Sequence, residues 1–292
     1  MIFDSHAHLI CADQTAYPPK PLRGELQPGE FDDPMTAEKL LGLMDQAGVA
    51  RACAVQRAHV YGYDNSYIMD MAARYPDRFL AVTVLNAVDP ATPDTLRQLA
   101  RERNIRGVRF SSASFPSGPL DWLNSDAAYN SWKAATDLGL PVCIHVLYVQ
   151  RAEVLPALKA MSDRIPEARV VVDHVGGAHA AHVELRWMKS EGIAEEVDIH
   201  PDALRLAEND NVTMKFSTIN LERLEANDRS LTAFIDQTIS TFGADRLIWG
   251  SDVGQSRDNY QHMVDLARKA TAHLAPEVRQ ALLHDNTAKL YG

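Results

Sequence analysis

Two histidines stand one residue apart in the run FDSHAHL, at positions 3–9. In an extended strand, residues two apart point the same way. His6 and His8 are therefore expected to project together from the end of one short strand. Two imidazoles converging from one rigid element make half of a divalent metal site. Taken alone, the same pair also suits surface or core histidines.

Three further runs supply partners. PVCIHV carries His145, VVVDHVGG carries His174, and LIWGSDVG carries Asp252. If a fold brings these strand ends to one mouth, three histidines and a carboxylate complete a divalent metal site with a position open for water.

The elements that must position them are legible as an alternation. Short apolar runs occupy Ile2–Ser5, Arg51–Val55, Phe79–Leu85, Gly107–Phe110, Pro141–Val146, Arg169–Asp173, Val212–Phe216 and Leu247–Gly250. Helical patterns lie between them over Ala37–Ala47, Ser66–Tyr75, Asp94–Arg103, Ala127–Leu138, Arg151–Ser162 and Leu231–Phe242. Tyr260–Leu274 and Pro276–Leu290 follow the last strand. Near-continuous apolar strands alternating with helices imply a parallel sheet buried on both sides. Eight such units in 292 residues fit an α/β fold of the closed (β/α)8 TIM-barrel type, as one domain spanning 1–292. An open doubly wound sheet would carry a glycine-rich phosphate loop after an early strand, and the first strand here ends in histidines. Two connections are long. Residues 10–34 carry Pro18, Pro19, Pro21, Pro28 and Pro34 with Gly24 and Gly29, and residues 176–211 follow the sixth strand. Both are expected at the C-terminal face of the barrel, as lid or pocket wall.

Composition bounds the function. Hydrophobic residues make up 46%, enough for a sizeable core, and 29 basic against 39 acidic residues leave a net charge of −10. Such an acidic chain is not expected to take nucleic acid or an anionic membrane as its main partner. Cys11, Cys53 and Cys143 form no CxxC pair and read as reduced thiols, with Cys53 and Cys143 as small core residues. With no signal-like segment and no apolar run of membrane-spanning length, a soluble, cytoplasmic protein is expected. There is no GxSxG elbow for a serine nucleophile.

The motifs DSHAHL, GVRF, PVCIHV, VVVDHVGG, LIWGSDVG and the terminal DNTAKLYG together resemble the amidohydrolase superfamily over nearly the whole chain. Within it they resemble the amidohydrolase-related branch that includes 2-pyrone-4,6-dicarboxylate lactonase, sugar lactonases and metal-dependent decarboxylases. The resemblance implies His6, His8, His145 and Asp252 as ligands of one divalent metal, zinc or manganese. It implies Asp252 as the base toward water, and His174 as a histidine that orients water or polarises the substrate. Two departures stand out. Binuclear members carry a bridging carboxylated lysine on the fourth strand, where this chain has Arg109, so one metal at most is expected. Related lactonases often have an aromatic residue and proline after the last aspartate, where this chain has Val253 and Gly254. Some lactonases of the branch also work without metal.

For the substrate, Arg109 suits a two-bond grip on a carboxylate, or else a salt bridge to a strand-end acid. Gln56, Arg57 and His59 either line the pocket, with Tyr61 and Tyr63 capping it, or belong to a solvated loop. Tyr148 is expected to donate to substrate. Lys215 is either a second anion contact or the partner of an acid inside the barrel. His179 and His182 read as a solvated helix face, and His200 as a loop residue. His262, His273 and His284 read as structural, and the acidic stretch 191–198 as a solvated surface. The leading expectation is a hydrolase opening a small carboxylated lactone, cyclic ester or amide. Non-oxidative decarboxylation or hydration of an unsaturated or aromatic acid is the alternative, and a non-catalytic binding barrel the third reading. Homo-oligomers occur in the superfamily, but no signature in this sequence points to one.

Overall fold

In the computed structural model, the alternating runs become eight parallel strands hydrogen-bonded in chain order. The structure describes residues 1–22, 26, 28–256 and 259–292, so Gly24 lies outside the described residues. The strands are β1 (Ile2–Ala7), β2 (Val49–Val55), β3 (Phe79–Val84), β4 (Gly107–Ser111), β5 (Val142–His145), β6 (Val170–Val172), β7 (Val212–Ser217) and β8 (Leu247–Gly250). β8 meets β1 through Asp252 N–H to His6 O at 2.7 Å and His8 N–H to Val253 O at 2.8 Å. The Ser5 hydroxyl adds a bond to Trp249 O at 2.6 Å. The sheet thus curls into a (β/α)8 barrel, as expected.

The connecting helices follow the sequence pattern closely. Ala37–Ala47 is capped by Thr36, whose side chain accepts from Lys39 N–H, and it stops at Gly48 in the left-handed conformation. Leu231–Phe242 begins after Ser230, which accepts from Ala233 N–H. Apolar helix faces pack on the outside of the strands to form the main core. A smaller core fills the barrel, with Phe3, Cys53, Val82, Cys143, Val171 and Ile248 stacked over Tyr291 of the closing helix. Cys53 and Cys143 are core residues, as expected. Among the described residues no helix is long and apolar enough to cross a membrane.

Strict alternation along β1 would send Phe3 and the histidines to opposite sides. Phe3 belongs to the interior core, whereas Ala7 and Leu9 belong to the outer one. The pairing of β1 with β2 shifts register between Asp4 and Ala7. Such an irregularity re-aims side chains beside active sites, and here it turns His6 and His8 inward. Gly250 on β8 makes room: a Cβ there would lie 2.5 Å from the His6 Cβ.

Candidate active site

His8 Nδ1 lies 2.8 Å from the Val55 carbonyl. A carbonyl only accepts, so Nδ1 carries the proton and Nε2 keeps its lone pair. That lone pair meets His6 Nε2 at 3.2 Å. Asp252 Oδ1 stands 3.5 Å from His6 Nε2 and 3.4 Å from His8 Nε2. All three side chains are buried. Asp252 adopts φ 60°, a left-handed backbone that aspartate and asparagine tolerate better than most residues. Ser256 donates to its Oδ2 at 3.2 Å.

Asp4 holds this corner from below. It accepts from His6 N–H and Ser251 N–H at 3.0 and 2.8 Å. The Ser251 hydroxyl and Tyr260 OH complete its shell at 2.6 and 3.0 Å. Burial pushes its carboxyl up to about 6 against the pull of these donors. Asp4 ties β1 to the segment carrying Asp252, a role that sequence reading missed.

A second layer lies behind His6. Asp173 accepts from Arg109 Nε at 2.7 Å on Oδ2 and pairs as an ion with Lys215, whose Nζ lies 2.9 Å from Oδ1. Lys215 Nζ is also 3.1 Å from His6 Nδ1. Burial opposes the Asp173 charge, but Lys215 and Arg109 outweigh it and hold the carboxyl well below its ordinary range. Burial likewise opposes the Lys215 charge, and Asp173 more than restores it. Burial, with the Lys215 cation, holds His6 well below its usual value. Burial lowers His8 and His174 too. Neutral imidazoles are the form that binds cations. Burial also opposes ionisation of Asp252, but the His8 contact and the nearby His174 and His6 hold its carboxyl below the ordinary range.

Two groups of donor atoms lie within 4.8 Å of one another among the described residues: His6–His8–Asp252 and His6–Asp173–His174. The first fits a divalent ion, because two imidazole nitrogens and a carboxylate converge and His8 is already in the metal-binding tautomer. The second is less available, since Asp173 is engaged by two cations. Above the first group opens a cavity of about 680 Å³, walled by Arg57, His59, Arg109, Phe115, His145 and His174 among others.

The amidohydrolase family model matches residues 3–292. The chain belongs to the amidohydrolase family.

It is 27% identical over 236 residues to L-fucono-1,5-lactonase of Burkholderia ambifaria, covering 74% of this chain and 68% of the relative. It is 24% identical over 307 residues to 4-sulfomuconolactone hydrolase of Hydrogenophaga intermedia, covering 99% and 88%. Among solved structures, a probable 2-pyrone-4,6-dicarboxylic acid hydrolase of Acinetobacter baumannii matches with TM-score 0.73 at 19% identity, covering 100% and 99%. Structures of 5-carboxyvanillate and 2,6-dihydroxybenzoate decarboxylases share the fold at TM-scores of 0.69 and 0.67.

In this amidohydrolase the expected site residues divide. His6, His8 and Asp252 form the tight group, while His145 lines the same cavity outside it, its ring 5.8 Å from that of His174. Arg109 makes the salt bridge of its second reading, to Asp173, and also walls the cavity. Lys215 follows the second of its two readings, and Gln56 and Tyr148 bond to protein groups. Lys215 is fully buried in the barrel and pairs with Asp173. The Gln56 amide donates to Asp64 O, and its Oε1 accepts from Arg57 N–H. Tyr148 accepts from Glu196 N–H at 2.7 Å while its ring lies 3.5 Å from the Arg151 guanidinium. Neither Gln56 nor Tyr148 is among the residues that line the cavity. Arg57 does line it, with Nε and Nη2 on Glu30 of the first long loop at 3.2 and 2.8 Å.

His179 is also a correction. It is not on a solvated face but 2% exposed. Its Nε2 donates to Val197 O at 3.1 Å, and its Nδ1 accepts from Asn220 Nδ2 at 3.1 Å. Burial first of all holds its ring down to about 4. Between that value and the unfolded value near ~6.5, the unfolded chain binds a proton that the folded chain does not. Stability is therefore lost as pH falls through this window. In urea denaturation from pH 7.5 to 4.5, the wild type should lose about 3 kcal/mol more than His179→Gln. Equal losses would contradict the burial account.

Proposed function

We propose that this amidohydrolase opens a small carboxylated lactone or related cyclic ester by attack of water on the ring carbonyl. One observation carries the reading: His6 converges with His8 and Asp252, and these two line a cavity whose wall holds the Arg109 cation. The two curated relatives named for lactones support it.

Asp252 is the base. It takes a proton from the water as the oxygen–carbon bond forms, and returns it to the ring oxygen as the carbon–oxygen bond breaks. Among the described residues, only Nε of Arg109 is bonded to protein. Its two Nη groups suit a substrate carboxylate, which Asp173 helps by fixing the guanidinium. His174, on the wall beside His6, orients the water. His6, His8 and Asp252 would hold one divalent ion, with His145 from across the cavity, and zinc suits the imidazole-rich set better than manganese. Such an ion, when bound, polarises the carbonyl and acidifies water. A cytoplasmic location, where thiols stay reduced, is part of this reading and suits the three free cysteines.

The test is a panel of five- and six-membered lactones with and without a carboxylate, assayed with metal supplied. Arg109→Met should raise KM for carboxylated lactones by roughly 30-fold, about 2 kcal/mol of charge-assisted bonding, and change KM for uncharged ones little. Release of carbon dioxide from an aromatic acid, with no ring opened in the panel, would replace this reading by decarboxylation.

A further inference from the structure

After β6 the chain takes a turn of the wrong hand. His174, Val175, Gly176 and Gly177 have φ of 54, 51, 67 and 68°. Ala178 N–H donates to His174 O at 3.2 Å, closing one left-handed helical turn. Glycine adopts this conformation freely, but histidine and, above all, branched valine do not. The second glycine has another reason: a Cβ on Gly177 would lie 2.8 Å from Val146 O. Backbone of this kind persists only where its surroundings over-determine it.

One buried amide does so. Asn220 Nδ2 donates to His174 O and to His179 Nδ1, each at 3.1 Å. Its Oδ1 accepts from Ser217 N–H at 3.0 Å. A backbone carbonyl only accepts and a backbone N–H only donates, so these two partners fix which end of the amide is which. Oδ1 therefore faces the Ser217 hydroxyl, 3.4 Å away, and gives its proton an acceptor. The Ser217 oxygen is then free to accept from His174 Nδ1, at 2.7 Å. Every hydrogen in the chain is used once. The reverse arrangement, with Ser217 donating to His174, would set the oxygens of Ser217 and Asn220 lone pair against lone pair.

We propose that Ser217, Asn220 and His179 are positioning residues that hold the left-handed turn and fix His174 with its proton on Nδ1 and a free lone pair on Nε2. They act through His174 and touch no substrate. All three are buried. The free lone pair makes His174 an acceptor for water in the cavity that it lines. That catalytic consequence rests on the hydrolase reading above, whereas the tautomer does not.

The test therefore needs no substrate. The 292-residue chain, as purified, is labelled with nitrogen-15 in its histidine rings, and the His174 signals are identified by their loss in His174→Gln. The wild type should show one tautomer at His174, protonated on Nδ1. Ser217→Ala should lose that single state and show a mixture, with its melting curve little changed. Ser217→Thr, which keeps the hydroxyl, should restore it. A wild-type His174 protonated on Nε2, or a Ser217→Ala chain that keeps the pure Nδ1–H form, would overturn the proposal. Failure of every lactone assay would leave the tautomer result standing.

Discussion

Asp252→Asn should slow lactone opening by about a thousandfold while the barrel stays folded. The left-handed backbone at this position, φ 60°, suits asparagine as well as aspartate. The amide can still accept from Ser256, which now bonds the carboxylate at 3.2 Å. What disappears is the charge and the proton acceptor. Loss of general-base action alone accounts for roughly 100- to 10,000-fold, and the weaker hold on a cation adds to it. The measurement is kcat on whichever lactone the panel identifies, beside circular dichroism of both chains. An active, folded Asp252→Asn protein would remove Asp252 from the chemistry.

Asp173→Asn should be the most destabilising conservative change in the site. Asp173 is fully buried and answers two cations, Arg109 at 2.7 Å and Lys215 at 2.9 Å. Removing its charge leaves both cations without their shared counter-charge, with Lys215 wholly out of water. Breaking a buried pair from one side costs about 3–5 kcal/mol. At about 2–4 °C per kcal/mol for a large domain, the melting temperature should fall by roughly 10 °C. Asp173→Asn combined with Lys215→Met removes the stranded ammonium and should recover part of the loss. A double variant no more stable than the single one would mean that the pair is not the source of the cost.

The contrast between these two aspartates shows what sequence can carry. Asp252 was legible because it follows an apolar run at a strand end, where a barrel gathers its reactive groups. His6, His8, His145 and His174 were legible on the same ground. Asp173 adjoins His174 in the same motif, yet its importance depends on Lys215 and Arg109, which arrive from β7 and β4. No spacing along the chain encodes that meeting. Asp4 was hidden likewise, because its partners Ser251 and Tyr260 lie some 250 residues away. The inward turn of His6 and His8 depends on a register shift in β1 that periodicity does not reveal. Tyr148 and His179 were misplaced because their surroundings are built by residues 176–211. The backbone of that connection offers Glu196 N–H to Tyr148 and Val197 O to His179. Strand ends follow from pattern, whereas the partners of a loop residue follow from a path that pattern does not fix.

Under the proposed function, His6, His8 and Asp252 hold one divalent ion beside the cavity. The most direct test is elemental mass spectrometry of protein purified without chelators, beside a His6→Ala/His8→Ala variant of equal fold. About one equivalent of zinc or manganese is expected in the wild type, and its loss in the variant. The same metal content in both, or none in either, would contradict it.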